Sequence, residues 1–307
     1  MRTLFALLLL TASATTTAAD VLKVQHVSGP AYAIVGPTGG RTYDNYGLNA
    51  NFGFVVTDAG VVLIDSGASD SGAQLIEQAV ASITDKPITH VLNTGSQDHR
   101  WLGNGYFARK GARIVALQRT VATQKQFGAQ HLQQLAPELK ERVAGTRAVS
   151  VPEPIQADET TLTVGGVTLQ LRWLGDAHFA GDALVWLPQQ RVLYSGDLVY
   201  VDRLLGVLPW SDLVAWRDTF HAMEALAPLH IVPGHGGVCD LAKAQRHTGD
   251  YLDWLAQEVG AAADNWEPID EVVDRLADAP AFRDLANFAE LHRGNVNRSY
   301  VQFENRR

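Results

Sequence analysis

The feature that most constrains this chain is the order of its apolar runs. Short strand-like segments come first, helical repeats follow, and the same sequence of events then happens again. Val21 to Val24, Ala31 to Val35, Phe52 to Val56 and Val61 to Ile64 read as strands, with Asp58-Ala59-Gly60 turning the last two into a hairpin. Asp70 to Thr84 carries Ala73, Leu75, Ile76, Ala79, Val80 and Ile83 at helical spacing. Ile88 to Leu92 is expected as a buried strand, Trp101 to Lys110 as a helix, Ile114 to Leu117 as a strand, and Arg119 to Val143 as a helix broken at Pro137. A second strand block starts near Val149 and runs through Leu162-Thr163, a hairpin at Gly165-Gly166, Val167 to Trp173, Ala183 to Leu187 and Val192 to Tyr194. Helices return at Leu213 to Ala225, Leu241 to Val259 and Pro268 to Ala277, with Ile231-Val232 a strand between the first two. Without a Pro/Ser-rich linker between the blocks, this predicts an α/β fold with two sheets face to face and helices outside, in one domain over residues 20–307.

The N-terminus has Arg2, an apolar run from Leu4 to Leu10, and Thr17-Ala18-Ala19 before Asp20, the pattern of a cleaved secretory signal over residues 1–19. The run is too short for a membrane anchor. A periplasmic or secreted protein is therefore expected, with Asp20 as its first residue.

Of the 307 residues, 46% are hydrophobic and 19% charged, the make-up of a globular protein with a sizeable core. The net charge of −8 removes the electrostatic drive toward a phosphate backbone, so nucleic acid is not expected as a partner. The single cysteine, Cys239, can form no intramolecular disulfide and no all-sulfur zinc site, and is expected as a buried core residue. Any metal must rest mainly on histidine and carboxylate.

Such residues cluster where predicted strands end. Asn93 to His99 follows Ile88 to Leu92; Gly175-Asp176-Ala177-His178 follows Val167 to Leu174; Ser195-Gly196-Asp197 follows Val192 to Tyr194; and Pro233-Gly234-His235-Gly236 follows Ile231-Val232. Loops leaving strand ends can converge on one site. Leu204 to Trp210, just beyond Asp197, is an apolar loop and a candidate substrate wall.

The phrases GVVLIDSG, GDAHFAGD, VLYSGD and IVPGHGG, in this order from about Asn51 to Gly237, resemble the metallo-β-lactamase superfamily of αββα hydrolases. The phrase NTGSQDHRWLGN resembles an exported branch met near sulfur-oxidation and quinoprotein systems. The resemblance implies a four-layer αββα sandwich. It also implies a departure: the family's His-x-His-x-Asp-His reads Thr94-Gly95-Ser96-Gln97-Asp98-His99, so two histidines are replaced by Thr94 and Ser96. His178 matches the third ligand of the first metal. Asp98, His99 and His235 match the ligands of the second, and Asp197 matches the bridging carboxylate. Thr and Ser hydroxyls are poor zinc ligands, so the first site is expected to be empty and the second to hold one ion.

The function implied is a mononuclear metal-dependent hydrolase of a small-molecule substrate, with Zn²⁺ the first expectation and iron or manganese the alternatives. Metal-bound hydroxide would attack a carbonyl or ester bond, with Asp98 and Asp197 orienting it and Asp197 or solvent passing the proton to the leaving group. His178 admits three readings: oxyanion donor, distant positioning partner, or packed loop residue. The competing reading is a non-catalytic metal-binding or accessory protein of the same fold.

Overall fold

The computed structural model describes residues 17–306. The expected signal therefore lies almost wholly outside the described residues. The chain enters through a one-turn helix, α1 (Ala18–Val21), closed by a capping box between Thr17 and Asp20.

The first sheet takes β1 (Lys23–Ser28), β2 (Ala31–Val35), β3 (Phe52–Thr57) and β4 (Gly60–Ile64) as an antiparallel run. After α2 (Asp70–Ala81) the chain adds β5 (Ile88–Leu92) parallel to β4. The short helices α3 (Asp98–Trp101) and α4 (Asn104–Arg109) then lead to β6 (Arg113–Val115), parallel to β5. The long α5 (Gln118–Leu139) crosses to the second sheet. Its order is β11-β10-β9-β8-β7, built from β7 (Glu159–Val164), β8 (Val167–Arg172), β9 (Leu184–Leu187), β10 (Val192–Tyr194) and, after α6 (Leu213–Glu224), β11 (His230–Val232) parallel to β10. The helices α7 (Leu241–Ala244), α8 (Asp250–Asp264), α9 (Ile269–Arg275) and α10 (Phe288–Glu304) finish the chain.

Period-2 alternation sets the layers. In β4, Val62 and Ile64 face the space between the sheets, while Val61 and Leu63 face α2. In β9, Val185 and Leu187 face inward, and Leu184 and Trp186 face a large core shared with α6, α8, α9 and α10. Strands this apolar on both faces must be covered twice, which gives the four-layer αββα sandwich. No helix among the described residues is long and apolar enough to cross a membrane.

Five elements differ from expectation, the first being the strand expected over Val21 to Val24: Val21 closes α1, and the strand runs over Lys23–Ser28. The helix expected over Trp101 to Lys110 is two short ones, with Asn104 between Ser66 and Asn93 in a buried hydrogen-bonded net at their junction. Pro137 does not break α5; it lies in the last turn, where little helix remains to be disrupted, and the chain leaves the helix at Lys140 with φ of 52°. The stretch from Leu241 onward is interrupted by a π turn at Gln245–Gly249, where Thr248 Oγ1 accepts from Tyr200 N and donates to Tyr200 O. Helix α10 was not foreseen, because its polar residues dilute the apolar repeat that Val296 and Tyr300 bury.

Candidate active site

The chemistry-bearing loops leave the carboxyl ends of the parallel strands β5, β10 and β11, so the two sheets deliver them to one edge of the sandwich. The sheets approach closely there. Gly196 has φ of 52°, and a Cβ on it would fall 2.5 Å from Thr94 Oγ1, so glycine is required for Asp197 to be presented beside the β5 loop.

His99, Asp197 and His235 meet in this space, all buried, with ligand atoms within 4.8 Å of one another. His99 Nε2 lies 3.2 Å from Asp197 Oδ2, and His235 Nε2 lies 3.2 Å from Asp197 Oδ1. His235 Nδ1 is 2.8 Å from the carbonyl of Asn49, which assigns the ring proton to Nδ1 and leaves a lone pair on Nε2. Burial, opposed by Asp197, holds this imidazole well below its ordinary pKa. A lone pair and a carboxylate oxygen therefore face each other with no proton between them, an arrangement that a cation would complete. Ligands about 2.1 Å from zinc stand roughly 3.4 Å apart in a tetrahedron, so the observed separations fit an ion.

Asp98 is not in this group. Its Oδ1 accepts from the Arg41 guanidinium and from His99 N, and it stands 3.2 Å from His99 Nδ1, behind the ring. Burial would raise its pKa, but Arg41 overcomes this and holds the carboxyl well below the usual range. The side chain between α3 and the sheet is Arg100, which the sequence reading passed over. Its buried guanidinium donates to Asp197 through Nε at 3.0 Å and Nη2 at 2.6 Å, to Asp65 Oδ2 at 3.1 Å, to Asn51 O at 2.8 Å and to Gly234 O at 3.1 Å. Burial pushes the Asp197 carboxyl up, and Arg100 followed by His99 pulls it well below its ordinary value.

The residues read as replacements for the family's first two histidines point elsewhere. Thr94 Oγ1 donates to Asp65 Oδ2 at 2.6 Å, and Ser96 Oγ is buried without a partner while its carbonyl accepts from Trp101 Nε1. Gln97 lines the cavity instead, together with His99, His178 and His235. Asp65 anchors Thr94 through both its backbone N–H and its hydroxyl.

His178 lines the cavity among the rings of Phe179, Tyr200 and Trp216. Its Nδ1 has no partner, and burial pulls its pKa down to about 4, so the ring is neutral at pH 7. Tyr200, also unforeseen, stacks on His235 with ring centroids 4.6 Å apart. Burial, reinforced by Asp197, keeps its phenol protonated. The candidate wall Leu204 to Trp210 divides: Gly206 and Leu208 line the cavity, whereas Leu204, Leu205 and Val207 are core. Cys239 is buried, and desolvation pushes its thiol up to about 12. The cavity measures about 200 Å³.

An αββα sandwich with a buried two-histidine, one-carboxylate cluster at one edge defines a class of protein. The metallo-beta-lactamase superfamily model matches residues 45–235, and the chain belongs to that superfamily. It is 25% identical over 227 residues to a metallo-beta-lactamase type 2 of Bacteroides fragilis, covering 71% of this chain and 80% of that one. It is 26% identical over 209 residues to metallo-beta-lactamase IND-1 of Chryseobacterium indologenes, covering 66% and 77%. Among solved structures, a metallo-beta-lactamase from Pontibacter korlensis superposes with a TM-score of 0.60 at 24% identity, over 76% of this chain and 99% of that one. FIM-1 from Pseudomonas aeruginosa, in its mono-zinc form, gives 0.60 at 16%, over 77% and 97%.

Proposed function

We propose that this protein is a metal-dependent hydrolase of a small substrate, with one divalent ion held by His99, Asp197 and His235. The observation that carries the reading is the His235 Nε2 lone pair facing Asp197 Oδ1, together with a second imidazole on the same carboxylate. The imidazole-rich donor set favours zinc over iron or manganese. Superfamily membership supports the hydrolase class.

An ion bound there supplies a Lewis acid that lowers the pKa of water and polarises a carbonyl or ester oxygen. The chain's own groups do the rest. Arg100 keeps Asp197 ionised and fixes its plane. Asp98, in place of direct ligation, orients His99 from behind its Nδ1. Neutral His178 and the protonated Tyr200 hydroxyl border the same cavity and can each donate a hydrogen bond to an oxygen that gains charge. We assign the protein outside the cytoplasm on the strength of the Arg2 and Leu4 to Leu10 pattern.

Elemental analysis of the purified chain, followed by turnover assays on lactams, lactones, thioesters and phosphoesters with and without chelator, tests this reading. One equivalent of zinc and chelator-sensitive turnover are expected. A metal-free folded protein, or turnover indifferent to chelation, refutes it. Stoichiometric zinc with no turnover moves the protein to the accessory class.

A further inference from the structure

Helix α10 lies beyond residues 45–235, the span that the superfamily model matches, yet it builds part of the site. Leu291, in its first turn and half-buried, lines the cavity together with Gly206 and Leu208. A Cβ on Gly206 would stand 4.0 Å from Leu291 Cδ2, so the helix side chain closes on the bare backbone of the loop. The helix is also fixed to both loops that border this space. At its N-terminal boundary Asn287 Nδ2 donates to Thr38 O at 3.1 Å, in the loop between β2 and β3 that carries the cavity residue Asn49. On the loop after β10, Asn295 Oδ1 accepts from Val207 N at 2.8 Å, Asn295 Nδ2 donates to Leu205 O at 2.8 Å, and Arg298 Nη1 donates to Val207 O at 3.0 Å. Just before the helix, Ala286 O accepts from Leu204 N at 2.8 Å and Ala286 N donates to Asp202 O at 3.1 Å. Leu204, Leu205, Val207 and Asn295 are fully buried, so drawing the loop away from α10 would leave their polar groups unpaired in the interior. The wall is therefore stiff, and the space it leaves is about 200 Å³, below the roughly 300–1,000 Å³ of sites that enclose drug-sized ligands.

We infer that Leu291 is a specificity-determining residue, through which α10 restricts the substrate to a short aliphatic group on the side of the cavity formed by Leu208 and Leu291. The inference rests on the hydrolase reading above for the identity of the cavity and names the class of substrate it admits. Two leucines and a glycine without a side chain make this side apolar, and the anchored helix makes it narrow. A fused-ring group cannot enter there without displacing Leu291 or breaking the loop from α10.

The test is calorimetric titration of two metal-directed probes, acetohydroxamate and 2-naphthohydroxamate, into the zinc-loaded protein and its Leu291→Ala and Leu291→Val variants. The unchanged protein is expected to bind acetohydroxamate at least about tenfold more tightly than the naphthyl probe. Leu291→Ala should tighten the naphthyl probe by about tenfold or more and leave acetohydroxamate within about twofold, with the milder Leu291→Val falling between. Circular dichroism and zinc content check that each variant is folded and loaded. Binding of the naphthyl probe to the unchanged protein as tightly as acetohydroxamate overturns the inference, and so does a parallel change of both probes in the variants, since loosened packing alone would move them together. Failure of the hydrolase reading is separately visible: absent zinc uptake overturns that reading and this inference together, whereas zinc uptake without turnover, the probe preference intact, overturns that reading alone.

Discussion

Arg100 and Asp197 form a two-pronged ion pair at the floor of the site, Nε to Oδ2 at 3.0 Å and Nη2 to Oδ1 at 2.6 Å, with both side chains 1% exposed. The remaining guanidinium donors end on Asp65, Asn51 and Gly234. One side chain thereby ties α3 to the ends of β4, β10 and β11 and to the entrance of β3.

Removing that cation while keeping its bulk should be severe. Arg100→Met leaves Asp65 and Asp197 buried without their counter-charge, and losses from breaking such a pair run to about 3–5 kcal/mol. Denaturant unfolding of the metal-free protein is the measurement, and a loss below about 1 kcal/mol would show that the pair is not holding the floor together.

Zinc content should separate ligands from their neighbours. His235→Ala and Asp197→Ala are expected to lose the ion, whereas Asp98→Asn and His178→Ala should keep it, Asp98→Asn with affinity weakened by about 10–100-fold as for a group that orients a ligand. Chelator competition reads this directly. Complete loss of zinc in Asp98→Asn would make Asp98 a ligand.

Gly53 in β3 packs under the ring of Tyr194, which reaches past it to the carbonyl of Tyr32 at 3.0 Å. A Cβ at Gly53 would stand 2.0 Å from Tyr194 Cε1. Gly53→Ala should therefore cost about 1–3 kcal/mol, as overpacking does. Combined with Tyr194→Leu it should cost less than the sum of the two single changes, and additive losses would show that the ring is not the obstacle.

His292 gives a pH signature far from the site. Its Nε2 donates to Leu276 O at 2.7 Å and its Nδ1 accepts from Tyr251 OH at 2.9 Å, which fixes a neutral ring. Burial lowers its pKa, against the Leu276 hydrogen bond and Asp278. In the unfolded chain the ring titrates at about 6.5. Above that pH both states are neutral and the contribution to stability is complete. Below it the unfolded state takes up a proton that the folded state refuses, so stability falls as the pH drops toward the folded value. In His292→Gln the slope of unfolding free energy between about pH 6.5 and 5 should be shallower than in the unchanged protein, by up to about 1.4 kcal/mol per pH unit. An unchanged slope would mean that this histidine titrates alike in both states.

The succession of strands along the chain, their division into two facing sheets and the positions of His99, Asp197 and His235 in loops after strands were legible in the sequence. The unbroken apolar runs Val61 to Ile64 and Leu184 to Leu187 are local, and burial on two faces follows from them wherever the strand lies. What the chain order could not convey was which residue of Asp98-His99-Arg100 joins Asp197 and His235 in the buried cluster. Successive side chains in a helical turn diverge by about 100°, so three neighbours look in three directions. The choice among them comes from partners far away in the chain: Arg41, 57 residues before Asp98, turns that carboxylate aside, and Asp197, 97 residues after Arg100, draws the guanidinium inward. Asp65 fixes Thr94 from 29 residues away, and Gln97, three residues on, lines the cavity. The sequence by itself determined the layers and the inventory of donors, because both rest on periodicity and residue type. The orientation of the loop after β5 and the pairing of Arg41 and Arg100 with their carboxylates were settled in three dimensions, because electrostatic partners are chosen by distance in space and not by distance along the chain.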